Sequence, residues 1–312
     1  MNSLEQLKTF STVVADTGNL DEIAQYTPQD ATTNPTLILK AIQNQKYDEV
    51  VKQILRDEGA NCSEESILEA LLVGFGAKIL ELIPGRVSTE VDAHLAFDTD
   101  RSVEMARRLI SRYERLGYGR ERVLIKLPAT WEGVLAAQVL EKEQIHCNMT
   151  LIFCSTQAVA CAQVGATLIS PFVGRILDWY LAHGKEGSYS PENDPGVKSV
   201  KAIYQIFKSA GYSTQIMGAS FRNSGEVLAL AGCDLLTISP QLLKEIQDSK
   251  GGVERQLTPG ERPAPSNEVP EAIEASQFRF LINEDAMASD KLADGIRRFA
   301  ADTREMLKIA LN

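Results

Sequence analysis

The chain has 312 residues, of which 44% are hydrophobic, so it is long enough for one barrel-sized domain or for two ordinary domains. Its 32 Lys and Arg residues stand against 42 Asp and Glu residues, and the formal net charge of −10 argues against general binding to nucleic acid or to anionic lipid. An anionic substrate would therefore have to be bound by a few local cations.

Several features of the sequence bear on the compartment of the protein. The first ten residues include Glu5 and Lys8 and lack an apolar segment, so we expect no secretory signal. No apolar run of the sequence approaches the roughly 18 residues of a membrane span. The five cysteines form an odd number and include no CxxC pair or Cys/His pair with metal-ligand spacing. These features predict a cytoplasmic protein with reduced thiols, no membrane partner and no metal site.

Short apolar or β-branched runs recur along the chain, and most are followed by a segment with helical periodicity. Strands that alternate with helices predict a parallel sheet, and eight strands suggest closure into a (β/α)8 barrel, also called a TIM barrel. The eight predicted strands are residues 12–16, 30–34, 87–92, 122–128, 146–153, 167–172, 214–220 and 235–240.

Capping and turn residues mark the helices between these strands. Thr130 is placed to cap a helix over 131–143, and Ser155 is placed to cap a helix over 156–164 that Gly165 ends. The gap between the second and third strands has room for two helices, and the gap between the sixth and seventh contains a turn at 194–196. The Gly/Pro-rich residues 249–275 predict an exposed loop, and an amphipathic C-terminal helix follows over 288–311. We therefore expect one catalytic domain over residues 1–312, with the extra helices as insertions.

The third predicted strand has one polar face, formed by Ser88, Glu90 and Asp92. Both faces of a barrel strand are normally covered, so such a face is costly unless it lines a wet, functional cavity. The alternative is a purely structural one, in which Glu90 lies at a solvated strand end.

The fourth predicted strand places Lys126 within an apolar run, close to the end of the strand. A free lysine has a pKa of about 10.4 and is mostly protonated at neutral pH, which makes it a poor nucleophile. Burial in an apolar barrel favours the neutral amine, which is the form that Schiff-base chemistry needs. The alternative is a snorkelling or salt-bridged lysine without a chemical role.

Polar residues also occur at the ends of other predicted strands. Active sites of (β/α)8 barrels lie at the C-terminal ends of the strands, so we expect these side chains to converge with Lys126 and Glu90. They are Asp16, Asn34, Asn148, Thr150, Ser170, Ser220 and, just beyond the seventh strand, Arg222.

Six segments resemble the signature segments of the transaldolase family, in the right order. They are DATTNPTLIL at 30–39, STEVDA at 88–93, VLIKLPATWEG at 123–133, NMTLIF at 148–153, SPFVGRILDW at 170–179 and MGASFRN at 217–223. The resemblance runs from about residue 10 to the C-terminal helix, and the TTNP and lysine segments are its most specific parts. It implies a class I Schiff-base enzyme that acts on sugar phosphates without a metal or another cofactor.

The resemblance also implies a role for each matching residue. Lys126 would attack the ketose carbonyl and form the Schiff base, and Asp16 would remove the proton from the C4 hydroxyl. Glu90 and Thr150 would hold the water through which protons move. The implied substrate-binding residues are Asn34, Asn148 and Ser170 for the dihydroxyacetone hydroxyls, and Arg175, Ser220 and Arg222 for the phosphate, a role that suits guanidinium groups.

Phe172 bears on whether the three-carbon unit is transferred or released. The related fructose 6-phosphate aldolases carry a tyrosine at the matching position, so Phe172 favours transfer. The predicted reaction moves a dihydroxyacetone unit from sedoheptulose 7-phosphate or fructose 6-phosphate to glyceraldehyde 3-phosphate or erythrose 4-phosphate, in the non-oxidative pentose phosphate pathway. The alternatives are an aldolase that releases dihydroxyacetone and a non-catalytic barrel that binds sugar phosphates. The resemblance leaves a monomer and a homodimer equally open.

Overall fold

Eight parallel strands form a closed barrel in the computed structural model of the protein, which describes residues 2–59, 62–184, 187–258 and 271–311. Each strand pairs with its neighbours in chain order, and the last strand pairs with the first. The predicted (β/α)8 barrel is confirmed. Its strands are β1 (Thr12–Asp16), β2 (Asp30–Thr32), β3 (Val87–Glu90), β4 (Val123–Pro128), β5 (Cys147–Ile152), β6 (Leu168–Pro171), β7 (Gln215–Gly218) and β8 (Leu235–Ile238).

Helices alternate with the strands and surround the barrel. In the described ranges, none of these helices combines the length and the apolar character needed to cross a membrane. All five cysteines are free thiols. The α-helices are α1 (Ser3–Leu7), α2 (Leu20–Tyr26), α3 (Pro35–Ile42), α4 (Asp48–Glu58), α5 (Glu64–Leu80), α6 (Thr99–Arg115), α7 (Trp131–Lys142), α8 (Ser155–Gln163), α9 (Gly174–His183), α10 (Pro195–Ala210), α11 (Ser224–Leu228), α12 (Pro240–Asp248), α13 (Ala275–Glu284) and α14 (Ala286–Ala310), and 3-10 helices cover Gln45–Tyr47, Ala93–Leu95 and Arg120–Arg122.

Several element boundaries differ from the prediction. The gap between β2 and β3 contains three α-helices, α3 to α5, and not two, because α3 begins immediately after the strand at Pro35. Strands β2 and β7 end before Asn34 and Ser220, so both residues lie in the loops that follow. The C-terminal helix begins at Ala286 and is preceded by α13, which was not predicted and overlaps the predicted loop only at Ala275. Residues 259–270 of that predicted loop lie outside the described residues.

One predicted cap is confirmed and one is wrong. The Thr130 hydroxyl accepts a 3.0 Å hydrogen bond from the Gly133 backbone N–H and caps α7. At α8 the N-cap is Cys154, which has extended backbone angles, and Ser155 is the first helical residue. A side chain already inside the helix cannot take the N-cap position, so Ser155 does not cap α8.

The barrel interior changes from apolar to polar along the strands. Side chains two residues apart on a strand point to the same face, so the residue two positions after an apolar interior residue lies above it in the barrel. The apolar layer is a separate buried cluster of Val14, Leu124, Leu168, Met217 and Leu235. The polar residues two positions further along four of these strands are Asp16, Lys126, Ser170 and Thr237. The apolar layer therefore closes the barrel below the polar one.

Two glycines of α5 allow neighbouring helices to pack closely. A Cβ on Gly74 would lie 2.5 Å from Cδ1 of Ile54, and a Cβ on Gly76 would lie 1.7 Å from the hydroxyl oxygen of Tyr113. Tyr113 is fully buried, and its hydroxyl shares a 2.6 Å hydrogen bond with that of Thr89 on β3. Gly76 therefore makes room for a side chain that ties α6 to the barrel.

Replacing Gly76 with alanine should lower the free energy of unfolding by about 1–2 kcal/mol. Overpacking against a fully buried ring costs about 1–3 kcal/mol, and the better helix propensity of alanine returns up to about 1 kcal/mol. Urea unfolding measures the loss, with Gly252→Ala as the control because a Cβ there meets nothing within 4 Å. The cost should shrink when Tyr113→Phe removes the hydroxyl. Equal stability of the two alanine variants would contradict this account of the packing.

Candidate active site

Lys126 is buried inside the barrel, with 5% of its side chain exposed. Its Nζ donates a 3.1 Å hydrogen bond to the Thr33 carbonyl oxygen and lies 3.2 Å from Oε2 of Glu90. The Glu90 contact is an ion pair whose angles fall outside hydrogen-bond geometry. Glu90 and Lys126 are register partners on β3 and β4, which explains why the two inward-pointing side chains meet. The lysine is thus ion-paired within the barrel and does not snorkel to solvent.

Asp16 ends β1 and is held by a short chain of hydroxyl groups. Its Oδ1 accepts a 3.0 Å hydrogen bond from Thr32 Oγ1, which lies 2.7 Å from Thr237 Oγ1. Neither threonine was among the predicted site residues. The period-two pattern of β2 and β8 would have placed both on the inner face, and that was the available signal.

Burial raises the pKa of both barrel carboxyl groups. For Asp16 the rise is opposed mainly by the charge of Lys126 and by the hydrogen bond from Thr32. For Glu90 the charge of Lys126 also opposes the rise, whereas the charge of Asp16 adds to it. Asp16 is half-buried, whereas Glu90 is 2% exposed. Two carboxyl groups with raised pKa beside one amine are suited to proton transfer near neutral pH.

A row of hydrogen-bonded side chains connects β3, β5 and β6. Asn148 Nδ2 donates to Ser88 Oγ at 3.0 Å, and Asn148 Oδ1 accepts from Ser170 Oγ at 2.6 Å. All three side chains are buried. Thr150, on the same face of β5 as Asn148, has a buried hydroxyl with no hydrogen-bond partner among the described residues. This hydroxyl can therefore bond to a water or a ligand.

Asn34 combines a structural and a ligand-facing position. It is the N-cap of α3, and its Oδ1 accepts a 3.0 Å hydrogen bond from the Leu37 backbone N–H. The capping bond sets the orientation of the amide, so Nδ2 is the group that can donate to a ligand.

A small cavity opens at the C-terminal ends of the strands. It brings together most of the predicted site residues. Glu90, Asn148 and Thr150 lie buried outside its lining, and Arg222 also lies outside it. The lining consists of Asp16, Thr32, Asn34, Lys126, Ser170, Phe172, Arg175, Ala219, Ser220 and Thr237.

Arg175 supplies a cation to this cavity. Its guanidinium carbon lies 4.9 Å from the ring centroid of Phe172 and 5.4 Å from that of Phe299 on α14. Burial lowers the pKa of Arg175, with further contributions from the nearby Arg298 and Arg222; a guanidinium nevertheless keeps its charge in proteins. Its Nη1 is buried and has no hydrogen-bond partner among the described residues. An unpaired buried donor of this kind favours an anionic ligand.

Ser220 and Arg222 lie on the loop after β7, which touches the loop after β6. Ser220 has a left-handed φ of 61°, and its carbonyl accepts a 2.9 Å hydrogen bond from the Gly174 backbone N–H. Arg222 forms two hydrogen bonds with the carboxylate of Asp178 on α9, at 3.1 and 2.7 Å. Its remaining nitrogen, Nη1, lies 3.5 Å from Ser220 Oγ. Asp178 thus orients the guanidinium of Arg222.

Gln157 is a further residue that the sequence interpretation missed. It is fully buried on α8, and its Nε2 donates to the carbonyl oxygens of Ala129 and Leu151, both at 2.9 Å. Its Oε1 accepts a 2.9 Å hydrogen bond from the Phe153 backbone N–H. The register of β5 is irregular here, and Leu151 has a left-handed φ of 57°. Gln157 therefore stabilises the irregular end of the strand that carries Asn148 and Thr150.

The C-terminal helix α14 forms part of the wall around the site. Besides the contact of Phe299 with Arg175, its Asp302 is hydrogen-bonded to Thr36 at the start of α3. A Cβ on Gly295 would lie 2.7 Å from Cδ2 of Leu151, so the helix needs glycine at its closest approach to β5. The sequence predicted this helix but not its position beside the cavity.

Replacing Lys126 with methionine should make stability depend more strongly on pH. The variant leaves Glu90 as a buried carboxyl group without its cation, so its pKa rises further. A raised folded-state pKa gives stability that is present below the ordinary value of 4.5 and is lost as pH rises through the folded-state pKa. We expect a loss of about 3–5 kcal/mol at neutral pH and a clearly smaller one at about pH 5, measured by urea unfolding.

The control for this prediction adds Glu90→Gln to Lys126→Met. Glutamine keeps the size of the side chain and cannot ionise, so the double variant should lose much of the pH dependence. Any pH dependence of stability that remains in the double variant comes from the Asp16 carboxyl group, which also loses a neighbouring cation. Equal losses of stability at about pH 5 and about pH 8 in Lys126→Met would contradict the prediction.

Residues 13–310 match the family described as Transaldolase/Fructose-6-phosphate aldolase. The matched region includes all candidate site residues from Asp16 to Arg222 and the whole of α14. The match implies an enzyme that acts on sugar phosphates and agrees with the family that the six sequence segments resemble. Because it spans nearly the whole chain, this protein belongs to the transaldolase/fructose-6-phosphate aldolase family.

Proposed function

We propose that the protein is a transaldolase that carries a dihydroxyacetone unit as a Schiff base on Lys126. The observation that carries this proposal is the buried amine of Lys126, which lies 3.2 Å from a Glu90 carboxylate oxygen and lines the same cavity as Asp16. Burying an amine between two carboxyl groups is costly for a folded protein. A barrel that only binds sugar phosphates has no need of such an arrangement.

Glu90 is placed to serve the first chemical step. Glu90 first accepts one proton from the Lys126 ammonium, and the neutral amine then attacks the C2 carbonyl of the ketose phosphate. A second amine proton moves to the carbonyl oxygen through a water bonded to Thr150, which gives a carbinolamine, and Glu90 then gives its proton to the departing hydroxyl group. Loss of water then leaves a protonated imine on Lys126, which withdraws electrons from the neighbouring carbon.

Asp16 is placed to serve the cleavage step. Its carboxylate takes the proton of the C4 hydroxyl, the C3–C4 bond breaks, and the electron pair moves into the protonated imine to form an enamine. The aldose phosphate leaves with the new C=O group. The hydrogen bond from Thr32, itself bonded to Thr237, holds the Asp16 carboxyl in one orientation. The same groups act in reverse when an acceptor aldose phosphate binds.

The cavity offers separate groups for the two ends of the substrate. Asn34 and Ser170 line it near Lys126 and can bond to the dihydroxyacetone hydroxyls, and Asn148 orients Ser170. Arg175 and Ser220 lie in the lining, and Arg222 stands beside Ser220. These three are suited to the phosphate group, which guanidinium forks bind well.

Phe172 favours transfer of the unit over its release. It lines the cavity and packs edge-to-face against Phe153, with ring centroids 5.6 Å apart. A phenylalanine ring has no hydroxyl group that could hold a water beside the enamine, so the enamine can persist until an aldose phosphate arrives. The reaction we propose belongs to the non-oxidative pentose phosphate pathway, and we propose a cytoplasmic location.

Borohydride trapping tests the proposed function. The protein is reduced in the presence of fructose 6-phosphate, and the adduct is located by mass spectrometry of peptides. We expect a dihydroxyacetone-sized adduct on Lys126 that decreases when erythrose 4-phosphate is added, because the acceptor removes the bound unit before reduction. Lys126→Ala should give no adduct, and Lys142→Ala, which removes a lysine at the end of α7, is the control. An adduct that survives Lys126→Ala would disprove the assigned mechanism.

Replacing Phe172 with tyrosine should increase the release of dihydroxyacetone. The added hydroxyl can hold a water or supply a proton at the enamine, so we expect release from fructose 6-phosphate without an acceptor to rise about tenfold, or about 1.4 kcal/mol in barrier. A coupled assay for free dihydroxyacetone measures the rate. Phe172→Leu changes the shape of the side chain without adding a hydroxyl and should not increase release. Equal rates in the two variants would argue against this role for position 172.

A further inference from the structure

Two buried carboxyl groups lie behind the loop that carries Arg222. Glu226 on α11 is 1% exposed, and Asp194, the N-cap of α10, is 2% exposed. Beyond the effect of burial, the charge of Asp194 raises the pKa of Glu226, and contact with Glu226 lowers that of Asp194, so the two carboxyl groups lie side by side. Two carboxyl groups in such contact share one proton, because burying both as adjacent anions is strongly unfavourable. Neither residue has a role in the reaction steps described above.

The surroundings of the pair place the shared proton on Glu226. Asp194 Oδ1 accepts hydrogen bonds from the backbone N–H groups of Gly196, at 2.7 Å, and Val197, at 3.1 Å. These donors and the dipole of α10 favour the ionised form of Asp194, although burial raises its pKa. Burial raises the pKa of Glu226 to about 7; the hydrogen bond from the Arg222 backbone opposes this rise and the charge of Asp194 adds to it.

Glu226 is bonded directly to the segment that carries Arg222. Its Oε2 accepts a 2.7 Å hydrogen bond from the Arg222 backbone N–H, and its Oε1 accepts one of 3.2 Å from Asn223 Nδ2. Asn223 Oδ1 in turn accepts from the Glu226 backbone N–H at 2.9 Å and caps α11. Asp194 anchors the pair to α10, which packs against α9, the helix of Arg175. The pair therefore links the loop that carries Arg222 to α10, which packs against the helix that carries Arg175.

Several other charged residues surround the pair of Asp194 and Glu226. Asp178 on α9 adds to the rise in the pKa of Glu226, and the charge of Arg222 opposes it. Glu245 on α12 accepts a hydrogen bond from Ser224, and it is exposed. Glu192 and Lys201 line a surface cavity next to Gly225. Among the charges that act on Glu226, that of Asp194 has the largest effect.

We infer that Glu226 and Asp194 are a proton-sharing pair of positioning residues that holds Ser220 and Arg222 where they bind the substrate phosphate. The inference rests on the proposed function, because it takes these two residues as phosphate ligands. Loss of the shared proton leaves two adjacent buried anions, and their repulsion displaces the Arg222 segment. Phosphate affinity should therefore fall as pH rises above about 7, with an increase in KM and little change in kcat.

Glu226→Gln is the central variant of the test. Its amide can accept the hydrogen bond from the Arg222 backbone and donate one to Asp194, as the protonated carboxyl group does, but it does not titrate. It gives up the 3.2 Å bond from Asn223 Nδ2. Asp194→Asn keeps an N-cap side chain and also removes the need for a shared proton. Glu192→Gln neutralises an exposed carboxyl group of the same segment and is the matched control. Arg222→Ala identifies the signal that comes from the phosphate site.

Affinity for inorganic phosphate is measured by calorimetry at about pH 6 and about pH 8, together with KM and kcat for fructose 6-phosphate. The ionisation of phosphate itself affects the wild type and all variants equally. The ratio of the wild-type affinity to the variant affinity therefore reports only changes in the protein. We expect the phosphate affinity of the wild type, relative to that of Glu226→Gln, to fall up to about tenfold between about pH 6 and about pH 8. Each pH unit above the pKa of Glu226 depletes its protonated form about tenfold. Asp194→Asn should behave like Glu226→Gln, and Glu192→Gln like the wild type.

Unfolding at the same pH values checks the shared proton independently. The folded-state pKa of Glu226, about 7, lies above the ordinary value of 4.5. Its contribution to stability is therefore complete below the ordinary value and is lost as pH rises through about 7. The free energy of unfolding of the wild type should fall relative to that of Glu226→Gln between about pH 5 and about pH 8.

Each other outcome overturns the inference. If relative stability changes with pH but phosphate affinity does not, the pair shares a proton without positioning the phosphate ligands. If neither changes, no proton is shared. The inference is also overturned if Arg222→Ala binds phosphate as tightly as the wild type does. It is overturned as well if the wild type does not bind phosphate. Because phosphate binding requires no turnover, the absence of an adduct on Lys126 would refute the proposed function separately.

Discussion

The ion pair between Lys126 and Glu90 is the interaction on which the rest of the site depends. It lies inside the barrel, where a separated amine or carboxylate would be very costly. Parallel pairing of β3 with β4 puts the two residues in register, and the apolar layer of Val14, Leu124, Leu168, Met217 and Leu235 closes the barrel beneath them. Any group that reacts with the amine must therefore enter from the C-terminal ends of the strands.

The surrounding helices and loops hold this interior in place through polar contacts of their own. Gln157 bonds to the chain at the ends of β4 and β5, and α14 packs against Leu151 and Arg175. The loops after β6 and β7 meet so closely that a Cβ on Gly174 would lie 2.5 Å from the Ser220 carbonyl oxygen. Cations at the mouth and the amine below are thus positioned by different parts of the chain, which suits a substrate with a phosphate at one end and a carbonyl at the other.

Much of this arrangement could be predicted from local sequence. Every strand was found within about two residues, because apolar runs and turn residues mark them well, and the Thr130 cap was correct. The errors concern irregular backbone. Cys154 takes the cap position that Ser155 was assigned, and three helices occupy the gap where two were expected. Alternation along β2 and β8 places Thr32 and Thr237 on the inner face. No local pattern reports the partners on other elements that give these threonines and Gln157 their roles.

The sequence by itself determined which side chains share a face and which family the chain resembles, since alternation along a strand and short motifs are properties of neighbouring residues. Lys126 above Leu124, and Asp16 above Val14, follow from that alternation alone. Only the tertiary structure decided that Lys126 meets Glu90, that Asp178 pairs with Arg222, and that Asp194 lies beside Glu226. These contacts join residues far apart in the chain, so they arise only when the barrel closes and the helices pack around it.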